Sequence, residues 1–185
     1  DTMTKRVALY ALGTRGDVQP AIALGRGLQQ AGYDVRVAVS SVHGQVVAEH
    51  GLTPAAIDVD TREMMTSDAG MEWVESGRNP WRELFVMRRL MDSRAAAAAP
   101  DTLRIAEDSD LLITGFVTVA IVQAVAEKTG RPWINASLQP SLRSADGASL
   151  LYPVLPNRVS RINAWSSRVS EAIIWFVYRN SANRV

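Results

Sequence analysis

The stretch of this chain best suited to chemistry is Gly13-Thr14-Arg15-Gly16-Asp17-Val18-Gln19-Pro20. It places one carboxylate and one guanidinium in a turn flanked by glycines, where backbone can approach a bound group closely. A carboxylate so placed has two uses. It can cap the helix that starts here by accepting backbone N–H bonds, with Arg15 as a solvated neighbour. Alternatively it can take a proton from a bound hydroxyl, a task that favours partial removal from water, because desolvation moves a carboxyl pKa from about 3.9 toward the operating pH. Residue type alone leaves both open, capping being the commoner use of Asp.

Other chemistries lack their residues. A dinucleotide site would need G-x-G-x-x-G in this turn and an acid near the end of the following strand; the turn has only G-x-x-G, and that strand ends in Val39-Ser40-Ser41. No Gly-Lys-Ser/Thr loop occurs for ATP. With no cysteine there is neither disulfide nor thiolate chemistry, and the composition suits a reducing compartment, the cytoplasm being the expected location. The formal net charge is +1 over 185 residues, and all basic side chains except Lys5 and Lys128 are arginines, most of them scattered singly among acids. That pattern argues against a nucleic-acid face and for planar contacts wherever arginines converge. Apolar runs such as Ala172 to Tyr178 fall far short of the roughly 20 residues of a spanning helix. The start of the chain carries no apolar core of a secretion signal.

The elements that must position the turn can be read from periodicity. Arg6 to Leu12 is a continuous apolar strand closed by Gly13, the pattern of a parallel strand covered on both faces. A helix follows, with Pro20 expected in its first turn, an apolar stripe through Ala21, Ile22, Leu24, Gly25, Leu28 and Ala31, and Gly32 as its stop. Val35 to Val39 is a second strand. Ser41 is the expected cap of a short helix to His50, and Thr53 to Val59 a third strand. Residues 61–79 read as a long loop with helical pieces. Asn79-Pro80 opens a helix that runs into alanines 95–99 and is interrupted at Pro100, with Thr102 to Glu107 resuming it. Leu111 to Thr114 is a fourth strand, Val119 to Lys128 a helix stopped by Gly130, and Pro132 to Ala136 a fifth strand. Residues 137–156 read as a loop, and 157–185 as an amphipathic helix or helix pair. This alternation predicts an α/β, Rossmann-like doubly wound parallel sheet flanked by helices, residues 1–156 forming the domain and 157–185 a helical segment leading onward.

The octapeptide, followed by Ala23-Leu24-Gly25-Arg26-Gly27-Leu28 and Gly32-Tyr33-Asp34-Val35, resembles the N-terminal signature of GT-B glycosyltransferases. Sterol glucosyltransferases and the bacterial enzymes that glycosylate macrolides and glycopeptides are the nearest groups. The resemblance continues through Asp110 to Thr114 and Ala124 to Pro132, and more weakly through Asn163 to Ser166. It implies an inverting transfer of sugar from a nucleotide-sugar such as a UDP-sugar to an acceptor hydroxyl, with Asp17 as the catalytic base. It also implies that Gly13, Thr14, Arg15 and Gly16 shape the substrate end of the turn. Relatives that use histidine at this turn support it with an aspartate after the fourth strand; here that region reads Thr114-Gly115-Phe116-Val117, with no acid. Neither cofactor nor metal is expected, since such enzymes manage the leaving diphosphate with helix dipoles and side chains.

The same resemblance puts the acceptor against the variable loops, with Trp73, Phe116 and Gln139 as lining candidates, and the methionine and aromatic content suits a lipophilic acceptor. Met87, Met91 and Phe85, at helical spacing, are read as core, and His43 as a surface or capping residue. A GT-B enzyme has a second domain carrying the donor site, and none of its motifs occurs here. The chain is therefore expected to be an acceptor half that is inactive alone, completed by a C-terminal donor domain in cis or by a partner chain. The basic stretch Arg158 to Arg184 suits either peripheral contact with anionic lipid or a solvated face beside that domain. Trp165, Trp175 and Phe176 are expected to be exposed and to favour self-association. A stand-alone small-molecule-binding module and a flavodoxin-like nucleotide-binding domain are the alternatives.

Overall fold

In the computed structural model, which describes residues 4–59, 68, 71–72, 80–138, 144–146 and 159–183, five strands build one sheet. They are β1 (Arg6–Tyr10), β2 (Asp34–Ser40), β3 (Thr53–Ile57), β4 (Leu111–Thr114) and β5 (Trp133–Asn135). All pairings are parallel, in the order β3-β2-β1-β4-β5. Helices α1 (Arg15–Gln30), α2 (Gly44–Glu49), α3 (Pro80–Glu107), α4 (Val119–Thr129) and α5 (Arg161–Ala182) complete the described elements. The fold is the expected Rossmann-like α/β sheet.

Side-chain alternation along β1 explains its unbroken apolar sequence. Val7, Leu9 and Ala11 face a core shared with Val18 and Ile22 of α1 and Val47 of α2. Ala8, Tyr10 and Leu12 face the opposite core, shared with Ala95, Ala98 and Ala99 of α3 and Val122 and Val125 of α4. Both faces of a parallel strand are thus removed from water, each large side chain contributing roughly 1.5–3 kcal/mol. On the α1 face the approach is close: a Cβ at Gly25 would meet Leu52 at 3.0 Å and Leu9 at 3.1 Å. The alanine run does the same on the α3 face, where small side chains let helix and sheet meet.

Several local expectations are corrected. Helix α1 begins at Arg15, so Pro20 lies in its second turn, and the N–H it lacks is one that would have bonded Gly16. Ser41 does not cap a helix; it begins a single 3₁₀ turn, Ser41–His43, ahead of α2. Helix α3 runs without a break through Pro100. Pro100 is exposed, while Ala98, Ala99, Thr102, Ile105 and Ala106 around it are buried on the sheet. The Thr102 hydroxyl donates to the Ala98 carbonyl at 2.7 Å, and the Thr102 carbonyl accepts from Tyr10 Oη at 3.0 Å. Packing on both sides of the proline outweighs the roughly 3 kcal/mol that proline costs inside a helix.

Helix α5 lies against α3 and α4, burying Val177 and Tyr178 beside Ala120. Trp165 and Trp175 are exposed, at 63% and 54%. Phe176 is not: its ring meets Phe85 edge-on at 5.8 Å and lies beneath the Arg88 guanidinium at 4.4 Å. Phe85 is itself 59% exposed and so covers α5 instead of filling the core. Among the described residues no helix is long and apolar enough to cross a membrane.

Candidate functional site

Chain order in the sheet reverses between β1 and β4, and a parallel sheet opens a crevice at the carboxyl ends of such strands because their crossovers leave on opposite faces. A cleft of about 720 Å³ lies there. The turn after β1 supplies Gly13, Thr14, Gly16 and Asp17, and the turn after β4 supplies Thr114 to Thr118. Leu24 of α1, Met87, Leu90, Met91 and Arg94 of α3, and Tyr178 of α5 close the sides. Most of this lining is apolar, with a few polar groups that converge. The floor is pinned by hydroxyls: Thr114 and Thr118 share a bond of 2.7 Å, and Thr118 Oγ1 donates to the Tyr10 carbonyl at 3.4 Å.

Asp17 sits at the third position of α1, and its role in the fold is a reciprocal cap. Thr14 is the N-cap; its hydroxyl accepts the Gly16 N–H at 3.3 Å, and Asp17 Oδ2 accepts the Thr14 N–H at 2.9 Å. The negative carboxylate also suits the positive end of the helix. Oδ1 is not engaged by Thr14, and the half-buried side chain lines the cleft. Capping and lining the cleft are therefore not alternatives here, because the bond to Thr14 engages Oδ2. Gly13 makes this possible: a Cβ there would lie 1.8 Å from Asp17 Oδ2, so only glycine lets the carboxylate fold back over the turn.

Across the cleft, Arg94 and Tyr178 form the other polar pole. Burial pushes the Tyr178 phenol up to about 12, with Arg94 opposing and Asp17 adding to that shift, so the hydroxyl is neutral at ordinary pH. Burial likewise holds Arg94 below its usual value, with Tyr178 and Asp17 acting in the opposite direction. Phe116 stacks edge-on against Tyr178 at 5.8 Å and lines the cleft.

The sequence-expected residues divide as follows. Gly13, Thr14, Gly16, Asp17 and Phe116 come together on the cleft. Arg15 is exposed and outside the described lining. Trp73 and Gln139 fall outside the described residues. His43 is half-buried in the 3₁₀ turn, away from the described lining. Periodicity assigns Met87 and Met91 to the core, and both do pack against the cluster of Ala120, Val177 and Tyr178 while also lining the cleft. Arg94 and Tyr178 were missed. The signal for Arg94 is its spacing, three residues after Met91 and seven after Met87, which makes it a charge within an apolar helical stripe. Tyr178 carries no such local signal, since docking of α5 alone brings it to the cleft.

A Rossmann-like domain with a carboxylate on the wall of a roomy, mostly apolar crevice at its switch point has the form of a small-molecule-binding domain. Residues 7–144 match the glycosyltransferase family 28 N-terminal domain, and the chain belongs to that family. It is 34% identical, over 80% of its length, to an uncharacterized glycosyltransferase of Mycobacterium leprae, and covers 37% of that protein. It is 27% identical to the sterol 3-beta-glucosyltransferase of Pichia angusta over 75% of this chain and 11% of the relative. The crystal structure of the Streptomyces glycosyltransferase SsfS6 superposes with a TM-score of 0.58 at 22% identity, covering 93% of this chain and 45% of that one. The fold is thus that of the N-terminal half of a GT-B glycosyltransferase, and the chain spans less than half the length of these relatives.

Proposed function

We propose that this domain binds the acceptor in an inverting transfer of sugar from a nucleotide-sugar to a hydroxyl of a lipophilic molecule, with Asp17 as the base. The observation that carries the reading is the Asp17 carboxylate: one oxygen held by the Thr14 N–H, the other free of that bond, on the wall of a mostly apolar 720 Å³ cleft. In the reaction, Asp17 Oδ1 removes the acceptor's hydroxyl proton as its oxygen attacks the anomeric carbon. The bond from that carbon to the nucleoside diphosphate breaks on the opposite side, the diphosphate leaves with the electron pair, and the anomeric centre inverts. Cleft size and methionine content suit a rigid polycyclic or long-chain acceptor. The name of one relative, a sterol 3-beta-glucosyltransferase, is that of an enzyme with a lipophilic acceptor and supports this class of molecule. The donor half follows in cis, and this domain alone does no transfer. Residues 157–185 lead into it, the exposed Trp165 and Trp175 serving as contacts for it or for a second copy.

Asp17→Asn in the full-length protein tests the reading. Asparagine keeps a carbonyl oxygen for the Thr14 N–H, so the cap survives while the base is lost. Acceptor binding should be retained and turnover should fall about 10²–10⁴-fold. Unchanged turnover refutes Asp17 as the base.

A further inference from the structure

Arg94 is the one cation among the described residues that line the cleft, and it makes neither a hydrogen bond nor an ion pair among them. Its Nη2 is sealed from solvent without a hydrogen-bond partner among the described residues, while the side chain as a whole is half-buried and opens onto the cleft. Around it stand Met91, Leu90, Ala95 and the Tyr178 ring, with a cavity of about 40 Å³ behind. Placing an unpaired guanidinium against apolar walls is costly, and proteins ordinarily pair such a group or replace it with a hydrophobic residue of similar volume. Asp17 acts on Arg94 through space but is not in ion-pair contact with it. The carboxylate is spoken for on one side by Thr14 and, in the proposed reaction, on the other by the acceptor hydroxyl.

We propose that Arg94 is an anion-recognition residue of the acceptor site, selecting an acceptor that carries a carboxylate or phosphate group a short distance from the hydroxyl that reacts at Asp17. A planar guanidinium that has neither hydrogen bond nor ion pair among the described residues matches two oxygens of an acid side by side, and in an apolar setting such a charge-assisted pair is strong. The remainder of the acceptor then lies on Leu24, Met87, Leu90, Met91 and Phe116. The selected molecule is thus an amphipathic hydroxy acid or its phosphate counterpart, in contrast to a neutral alcohol. The inference rests on the reading of the cleft as the acceptor site.

The test is calorimetric binding to the full-length protein without donor, using 3-hydroxydecanoic acid, its methyl ester and 3-hydroxydecyl phosphate. Wild type should bind one or both anions about tenfold or more tighter than the ester, and the comparison of acid with phosphate says which oxyanion the site prefers. Arg94→Met, which keeps the length and apolar volume of the side chain, should bring the anions down to the ester's affinity and leave the ester unchanged. Unchanged ester binding also shows that the variant is folded. Arg94→Lys should recover part of the preference, since the ammonium keeps the charge without the planar fork. If the anions bind no tighter than the ester in wild type, or if Arg94→Met keeps the preference, the assignment of Arg94 falls and the acceptor cleft stands. If none of the three binds, the acceptor reading falls with it.

Discussion

At the residue scale, Asp17 shows how a helix cap and a cleft-lining carboxylate can be the same side chain. A carboxylate at the third helical position folds back to the N-cap N–H, and this fixes its rotamer without a separate supporting residue. The device depends on the absence of a side chain at Gly13. Gly13→Ala should therefore displace the carboxylate and lower turnover of the full-length protein by about 10² or more while the domain remains folded, as turnover and circular dichroism measured together would show. Asp17→Ala should be worse for the fold than Asp17→Asn, by about 1 kcal/mol in urea unfolding, since alanine leaves the Thr14 N–H without its acceptor. Equal stability of the two variants would separate the cap from the stability of the domain.

At the element scale, α3 links the core to the cleft. Its alanines pack on the sheet, and Met87, Leu90, Met91 and Arg94 turn toward the ligand space on an adjoining stripe of the same helix. The one local weakness is Pro100, which lacks the N–H that would bond the Ala96 carbonyl. Pro100 is exposed, so its replacement disturbs no packing. Pro100→Ala should stabilise the domain by about 1–3 kcal/mol, read as a higher urea midpoint at unchanged slope. A lower midpoint would mean that proline's restriction of the unfolded chain matters more than the missing bond.

At the scale of the whole molecule, the two ends of the sheet have different work. The carboxyl ends of the strands hold the cleft, and the amino ends are tied by charge. The Arg6 N–H donates to Asp110 at 2.8 Å, the Arg6 side chain pairs with Asp108 and Asp110, and Arg36 also bonds Asp108. The Arg6 backbone N–H is the main cause holding the Asp110 carboxyl below its ordinary 3.8, with the Arg6 side chain and Arg131 assisting against partial desolvation. A carboxyl depressed in the folded state adds stability that is fully present above its unfolded pKa and lost as pH falls through the folded one. Stability should therefore decline below about pH 4, and Asp110→Asn should flatten that limb without altering the cleft. Urea midpoints measured down the acid range check it; identical limbs in the two proteins would remove Asp110 from the acid response.

The sequence by itself determined the alternation of strands and helices, the turn that carries Asp17 and the family to which the chain belongs. These are local matters: an apolar run covered on both faces, glycine at helix ends, and an octapeptide whose residues act on their immediate neighbours. Boundaries moved where tertiary packing overruled local preference, as at Pro100, which α3 traverses because the sheet holds the helix on both sides. Only the tertiary structure decided that Asp17 caps the helix and lines the cleft at once, since this depends on the clearance at Gly13. It also decided that methionines read as core stand at the cleft wall, and that Arg94 and Tyr178, 84 positions apart in the chain, meet there opposite Asp17. Periodicity tells which face of a helix is apolar; whether that face meets a neighbour or a space left for a ligand depends on where the other elements stop.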